Sequence, residues 1–420
     1  DPNIARNLHE AVKRTGVNFF SQIISPDGEI YGIPTFNQSY GNEFPHKLYY
    51  YEPWLKELGL NEPKTTDEFY ECLKLICTSD LNKNNKQDEI GMAGTFSDNY
   101  SNGWFHWLMN AFVYAGDSNY FVVEDGKVSV AYNTQEWKEG LKYIRRLFAE
   151  KLLPVEILTQ DKNQFLAMVN TEDVTSFSFS YTSPSPINAT NPVRNDYVGL
   201  APIAGPGGKQ YATYRESTAN ISFMITRNCK NPEAAFRLGD LMISEYFSIM
   251  QRWGEEGVHW DYYKNVKNPE KYVSQYANFD IYIVAYDDDT FWGSGTVQNA
   301  SWLQRGPYIR QYGIALGRGI DPQTLTPFSK NYADADIAYQ SGNYKPKEYI
   351  PKLIYTAEES EKITEIMTTL RNYVLEATSN FLVGNIDIDS NWDAYVKELN
   401  AIGLDTVLEV VQKVYDRMYK

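Results

Sequence analysis

Apolar residues recur along this chain with two different periods, and turn or cap residues mark where one gives way to the other. EIYGIPTF (29–36), set behind the turn residues Pro26, Asp27 and Gly28, predicts a strand. KLYYYEPWLKELGL (47–60) leads into a helix that closes near Gly59. Thr65 and Glu68 have capping-box spacing, and Phe69, Leu73 and Ile76 continue an apolar face that Lys74 interrupts. YFVVEDGKVSVAY (120–132) predicts a hairpin turning at Asp125-Gly126, followed by the amphipathic stretch QEWKEGLKYIRRLFAEKLL (135–153). NISFMIT (220–226) alternates as a buried strand, and Asn231-Pro232 starts the helix EAAFRLGDLMIS (233–244). A second capping box, Thr356 with Glu359, opens a helix running to Gly384, and a helical pair closes the chain.

Strands mixed with helices over the first two thirds, then helices alone, define an α/β protein with a helical C-terminal segment. At 420 residues the chain exceeds what one core holds, so two lobes are expected. TSPSPINATNP (182–192) and IAGPGG (203–208) are connecting loops, and no repeat is visible.

Composition narrows the function. With 54 acids against 39 bases the formal charge is −15, which repels a phosphate backbone and excludes a general nucleic-acid binder. No run approaches the ~20 apolar residues needed to span a bilayer, and DPNIARNLHE lacks the apolar core of a signal peptide. Cys72, Cys77 and Cys229 form no paired framework; Cys72 and Cys77 are expected as buried thiols in one helix. The 33 Tyr, 20 Phe and 9 Trp supply flat rings, many with polar tips, suited to sugar faces as well as to cores.

DLNKNNKQDE (80–89) places oxygen-bearing groups at Asp80, Asn82, Asn84, the main chain of Lys86, Asp88 and Glu89. A hard cation such as calcium takes six to eight oxygens, and alternate-residue spacing meets that demand. Gly91 stands where an EF-hand has its bidentate Glu, so Asp88 and Glu89 would have to close the cage, and Asn85 takes the turn position usually held by Gly. A solvated turn between helix and strand is the competing reading.

GEIYGIPTF, LYYYEPWLKELGLNEPKTTDEFYECLKLI and DLNKNNKQDEIGMAG occur in one order with DGKVSVAYNTQEWKEGLKYIRRLFAEKLL, NPEAAFRLGDLMIS, WGEEGVHWDY and WDAYVKELNAIGLDTVLEVVQKVYDRMY. Together they resemble the extracellular solute-binding proteins (family 1) of carbohydrate ABC transporters, the large lipoprotein branch similar to alginate-binding proteins. The resemblance implies a periplasmic-binding-protein-like two-lobe clamp of class II type that closes on an oligosaccharide and delivers it to permease subunits. It implies a monomer, held by an N-terminal lipid anchor outside this chain to the extracellular face of the cell membrane, or placed in the periplasm. It also makes the 80–89 loop a structural Ca2+ site with the ligands Asp80, Asn82, Asn84, Lys86, Asp88 and Glu89. By the same analogy residues 1–98 with 218–300 form an N-terminal lobe, lacking its first strands and carrying the calcium loop. Residues 99–217 with 301–420 form the C-terminal lobe with the closing helices.

Sugar recognition needs rings against pyranose faces and planar polar groups on the hydroxyls, converging in one cleft. The candidates are Trp104, Trp107, Tyr181, Arg215, Glu216, Trp292 and Trp302, with Asn37 and Tyr40 from the opposing lobe. Trp104 and Trp107 have helical spacing, which places at least one in a core, and Trp253 and Trp260 suit a core better than a site. Asp287, Asp288 and Asp289 raise a second possibility, a secreted calcium-containing polysaccharide-degrading enzyme, but adjacent acids do not set the separation that glycoside hydrolysis needs. His9, His46, His106 and His259 are scattered, and no nucleophile elbow, zinc or nucleotide motif is present, so no catalytic residue is assigned. Because Arg215 is the single cation placed at the cleft, a neutral or amino sugar is expected over a polyuronate.

Overall fold

A computed structural model of the chain describes residues 3–96, 102–116, 119–171, 173–274, 276, 280–284, 306–315 and 318–420. The contacts divide the chain into two compact units, Asp1–Ser39 with Glu216–Leu325 and Tyr40–Arg215 with Thr326–Lys420. The chain therefore crosses between units after Ser39, Arg215 and Leu325. The boundaries expected at 98 and 300 differ from these, because a strand of residues 47–51 lies inside the second unit's sheet. The 80–89 loop accordingly belongs to the second unit.

The second, larger unit is built on a four-stranded sheet of β2 (Lys47–Tyr51), β3 (Ile90–Ala93), β6 (Ser176–Tyr181) and β7 (Tyr197–Leu200), in the order β3-β6-β2-β7. β2 runs antiparallel to both β6 and β7, while β3 runs parallel to β6. β6 is SFSFSY: Phe177 and Phe179 are fully buried, and the alternating serines leave room on the opposite face. A Cβ added to Gly103, at the start of the helix Gly103–Met109, would stand 2.5 Å from Ser180 Oγ, so this helix can approach β6 only with glycine there. β4 (Phe121–Glu124) and β5 (Lys127–Val130) form the hairpin at Asp125-Gly126.

The helix Gln135–Ala149 starts where the Thr134 hydroxyl accepts from Trp137 N at 3.2 Å, and it buries Trp137, Leu141, Ile144, Leu147 and Phe148. The helix Ala357–Val383 packs against it, opened by a capping box in which Thr356 and Glu359 satisfy each other's main chain. Gly384, with φ 81°, ends that helix, and Ile388–Ile402 and Leu404–Tyr419 complete the helical C-terminal segment. Cys72 and Cys77 lie buried and unpaired in the helix Thr66–Cys77, and burial pushes both thiols up to about 12.

The smaller unit holds β1 (Ile33–Asn37), β8 (Asn220–Phe223) and β11 (Ile309–Arg310) in the order β11-β1-β8, with β1 parallel to β11 and antiparallel to β8. Leu8, Ala11, Phe19, Ile23, Phe36, Ile243 and Ile309 form its core. The buried Asp240 carboxylate accepts from Asn7 N at 2.9 Å and Leu8 N at 3.0 Å, tying the helix Arg6–Thr15 to the helix Pro232–Met242. β8 differs from expectation: its side chains are half-buried or exposed, because as described it ends the sheet. A second small sheet joins β9 (Trp260–Tyr262), β10 (Ile281–Ile283) and β12 (Arg318–Gly319) over Ile249, Trp253, Trp260, Ile281 and Ile314.

Candidate ligand-binding site

In the larger unit three of the expected residues gather around the start of β2. The short helix Tyr40–Glu43 leads into it, Tyr181 is the cross-strand partner of Lys47, and Arg215 N donates to Glu43 O at 2.8 Å. Tyr40, Tyr181 and Arg215 are half-buried, which leaves each partly open to a ligand, and Glu216 is exposed. Burial, then Glu43 and Asp336, hold the Tyr40 hydroxyl above its ordinary range, so it remains a donor at neutral pH.

A buried polar layer fixes the main chain behind these residues. The Thr213 hydroxyl donates to Ala115 O at 3.0 Å and receives Asn110 Nδ2 at 3.1 Å. With that proton committed, His46 Nδ1, 3.3 Å from Thr213 Oγ1, is the donor of its pair. His46 lies against His106, ring centres 4.6 Å apart, and His106 Nδ1 stands 3.1 Å from Ala115 O. Beside them the Lys47 ammonium donates to Phe44 O at 3.0 Å and pairs with Asp336 at 2.8 Å, both side chains fully buried.

Trp104 and Trp107 are corrections. The helix Gly103–Met109 is buried on every side, so both indoles are core: Trp104 packs on Phe96, Phe105 and Phe148, and Trp107 on Phe69. Trp107 Nε1 donates to Tyr339 Oη at 3.0 Å. Helical spacing in a segment that is apolar but for His106 signals a buried helix, and neither ring offers a face to a ligand. Trp292, Trp302 and the run Asp287–Asp289 lie outside the described residues.

In the smaller unit Asn37 ends β1, and its parallel neighbour in register is Arg310 on β11. Asn37 and Thr35, two residues apart, share one face of the strand, and Arg310 as cross-strand neighbour projects from that same face. Asn37 Oδ1, Thr35 Oγ1 and Arg310 Nε are all buried and without a hydrogen-bond partner. The Arg310 guanidinium is 5 % exposed and lies 4.4 Å from the Tyr308 ring centre. Sequence reasoning missed Arg310, since a two-residue strand carries no periodic signal.

The 80–89 loop folds on its own side chains. Asp80 accepts from Asn84 N at 3.1 Å and Asn85 N at 3.0 Å, Asn82 Oδ1 from Asn84 N at 3.1 Å, and Asn84 Oδ1 from Lys86 N at 2.8 Å. Asn85 takes the positive φ, 60°, expected at the turn, and Lys83 also takes a positive φ, 61°. Glu89, 4 % exposed, accepts through Oε1 from Leu81 N at 2.8 Å and Asn82 N at 3.2 Å, while its Oε2 is buried with no partner. Among the described residues no group of three His, Cys, Asp or Glu side chains is placed to hold a metal alone. A hard cation here would therefore draw also on the asparagine and main-chain oxygens, and the orphaned Glu89 oxygen fits that demand.

Half-buried rings and planar polar groups near the start of β2 and the end of β1, on a two-unit α/β frame with a helical C-terminal segment, agree with a solute-binding protein. The chain belongs to the bacterial extracellular solute-binding protein family, whose model matches residues 21–245, just over half its length. It is 27 % identical over 433 aligned positions to the fructooligosaccharide ABC transporter substrate-binding protein FusA of Streptococcus pneumoniae, covering 99 % of this chain and 74 % of that protein. Among solved structures it resembles a human-milk-oligosaccharide (HMO)-binding ABC-transporter-associated solute-binding protein of Bifidobacterium longum infantis, with TM-score 0.81 and 22 % identity over 100 % of this chain and 82 % of that one. FusA in complex with kestose gives TM-score 0.75 and 24 % identity over 98 % and 81 %. An EF-hand mutant of FusA and an alginate-binding protein, AlgQ2, solved without calcium ion share the fold, at TM-scores 0.72 and 0.65. No helix among the described residues is long and apolar enough to cross a membrane.

Proposed function

We propose that this protein captures an oligosaccharide outside the membrane and delivers it to the permease of an ABC importer. The observation that carries this reading is the similarity to FusA along 99 % of the chain, together with half-buried Tyr40, Tyr181 and Arg215 at one sheet end. Tyr40 and Tyr181 supply ring faces and hydroxyls, and Arg215, Glu216 and Asn37 supply planar polar groups. The ligand acts by population shift: it binds one conformer of the chain better and so enriches it. A lipid anchor at the extracellular face, and a monomeric state, are part of the same reading.

Calcium is the structural ion this reading assigns to the 80–89 loop. Asp80, Asn82, Asn84, the Lys86 carbonyl, Asp88 and Glu89 would hold it, and bound there it supplies charge neutralisation that stiffens the turn.

Calorimetric titration with a panel of short oligosaccharides, followed by chromatography of the sugar, tests the proposal. Saturable binding with the sugar recovered intact is the expected result. Shortened sugar, or no binding across the panel, would overturn it.

A further inference from the structure

Buried cations in folded proteins are paired, because leaving a guanidinium out of water without an opposite charge costs more than its packing returns. Arg310 departs from that rule. It is 5 % exposed, no described carboxylate stands within ion-pair distance of it, and its Nε–H finds no acceptor. Tyr308, through its charge interaction and a side-chain hydrogen bond, is the one group that favours its charge, and burial outweighs that help, holding the guanidinium below its ordinary range.

The unmet groups around it are of complementary kinds. Arg310 Nε is a donor lacking an acceptor, Asn37 Oδ1 is an acceptor lacking a donor, and Thr35 Oγ1 offers both. All three project from one face where β1 and β11 run parallel, with Asn37 and Arg310 at the carboxyl ends of those strands, the end where ligands of parallel sheets are bound. β1 closes at Asn37, just before the chain leaves this unit after Ser39. A neutral sugar hydroxyl would satisfy Asn37 and Thr35 but leave the Arg310 charge uncompensated. A carboxylate accepts from Arg310 and neutralises it, while a neighbouring hydroxyl donates to Asn37.

We propose that the Arg310–Asn37–Thr35 face is the carboxylate-reading part of the ligand site, and that the ligand is an oligosaccharide carrying uronic acid groups. This rests on the oligosaccharide-binding reading above and reverses the expectation of a neutral or amino sugar, which counted Arg215 alone.

The test is a titration series with short oligomers of galacturonic, mannuronic and glucuronic acid, the same oligomers with carboxyls reduced to alcohols, and neutral fructan and galactan oligomers. At least one acid oligomer binds, its reduced form binds about ten- to a hundredfold more weakly, and Arg310→Gln loses the same factor toward the acid alone. Asn37→Asp serves as the second variant, since it meets the Arg310 charge from within: it melts no lower than the parent and loses the acid ligand. Tighter binding of neutral or reduced oligomers, or full acid binding by Arg310→Gln or by Asn37→Asp, overturns this inference and leaves the oligosaccharide-binding reading intact. Silence from every oligomer of both kinds removes that reading, and the inference with it.

Discussion

Lys47 Nζ stands 2.8 Å from Asp336 Oδ1 with both side chains fully buried, joining the first residue of the central strand β2 to the helix Pro327–Ser341. Burial pulls the ammonium below its ordinary range and the Asp336 carboxylate opposes that pull. The pair is costly to form and costlier to break, because a lone survivor is a buried uncompensated charge. Asp336→Ala is expected to destabilise the larger unit by about 3–5 kcal/mol, and the double variant Lys47→Met/Asp336→Leu to recover most of that loss. Urea midpoints of the two variants check this; equal losses in both would mean the pair acts by shape rather than charge.

The corrected indoles separate stability from binding. Trp104→Ala removes a fully buried ring from the main core and should cost about 3–5 kcal/mol, lowering the melting temperature whether or not sugar is present. Tyr181→Ala removes a half-buried ring at a strand end and should leave the melting temperature of the free protein close to the parent while weakening sugar binding. A Trp104→Ala protein that melts with the parent would return that indole to the list of ligand contacts.

Much of the frame was legible because its signals are local. The Thr65 cap, the Asp125-Gly126 hairpin, the Thr356–Glu359 capping box and the closing Gly384 all lie where their residue types predict. What could not be read is what depends on pairing between distant segments. β2 looks like the lead into a helix until β6 and β7 claim it from 125 or more positions away, and that pairing moves residues 40–98 into the other unit. Arg310 matters through its neighbour Asn37, which lies about two thirds of the chain's length away, and no spacing rule connects them.

Acid should weaken the protein in two windows. Burial pushes the His106 imidazole down to about 4, against the favourable Ala115 carbonyl and with the Arg215 charge adding to the depression. The unfolded chain takes up that proton near 6.5, so stability falls as pH drops from about 6.5 to about 4. Hydrogen bonds from Arg417, at 2.6 and 2.9 Å, hold the Glu359 carboxyl down to about 2, helped by Thr356 N and opposed by burial. Its contribution is present above about pH 4.5 and is lost as pH falls toward 2. Thermal melts across this range should show both slopes, with Glu359→Gln flattening only the lower one; a Glu359→Gln profile parallel to the parent throughout would rule out that carboxylate as the cause.

The orphaned Glu89 oxygen gives the sharpest test of the loop. Asp80 already accepts two main-chain N–H groups, so Asp80→Ala would unsettle the turn even without metal. Glu89→Gln is the cleaner variant: its amide oxygen keeps the bonds from Leu81 N and Asn82 N while the charge that a cation would need is gone. Lys83, one of the two lysines in the turn, is committed to Glu57 at 3.1 Å. Calcium at a hundredfold excess over its dissociation constant should stabilise the parent by about 2.7 kcal/mol, and chelation should remove that increment. Glu89→Gln should melt near the chelated parent and respond weakly to calcium. A parent whose melting temperature is the same in calcium and in chelator would leave the 80–89 turn as a solvated loop held by its own asparagines.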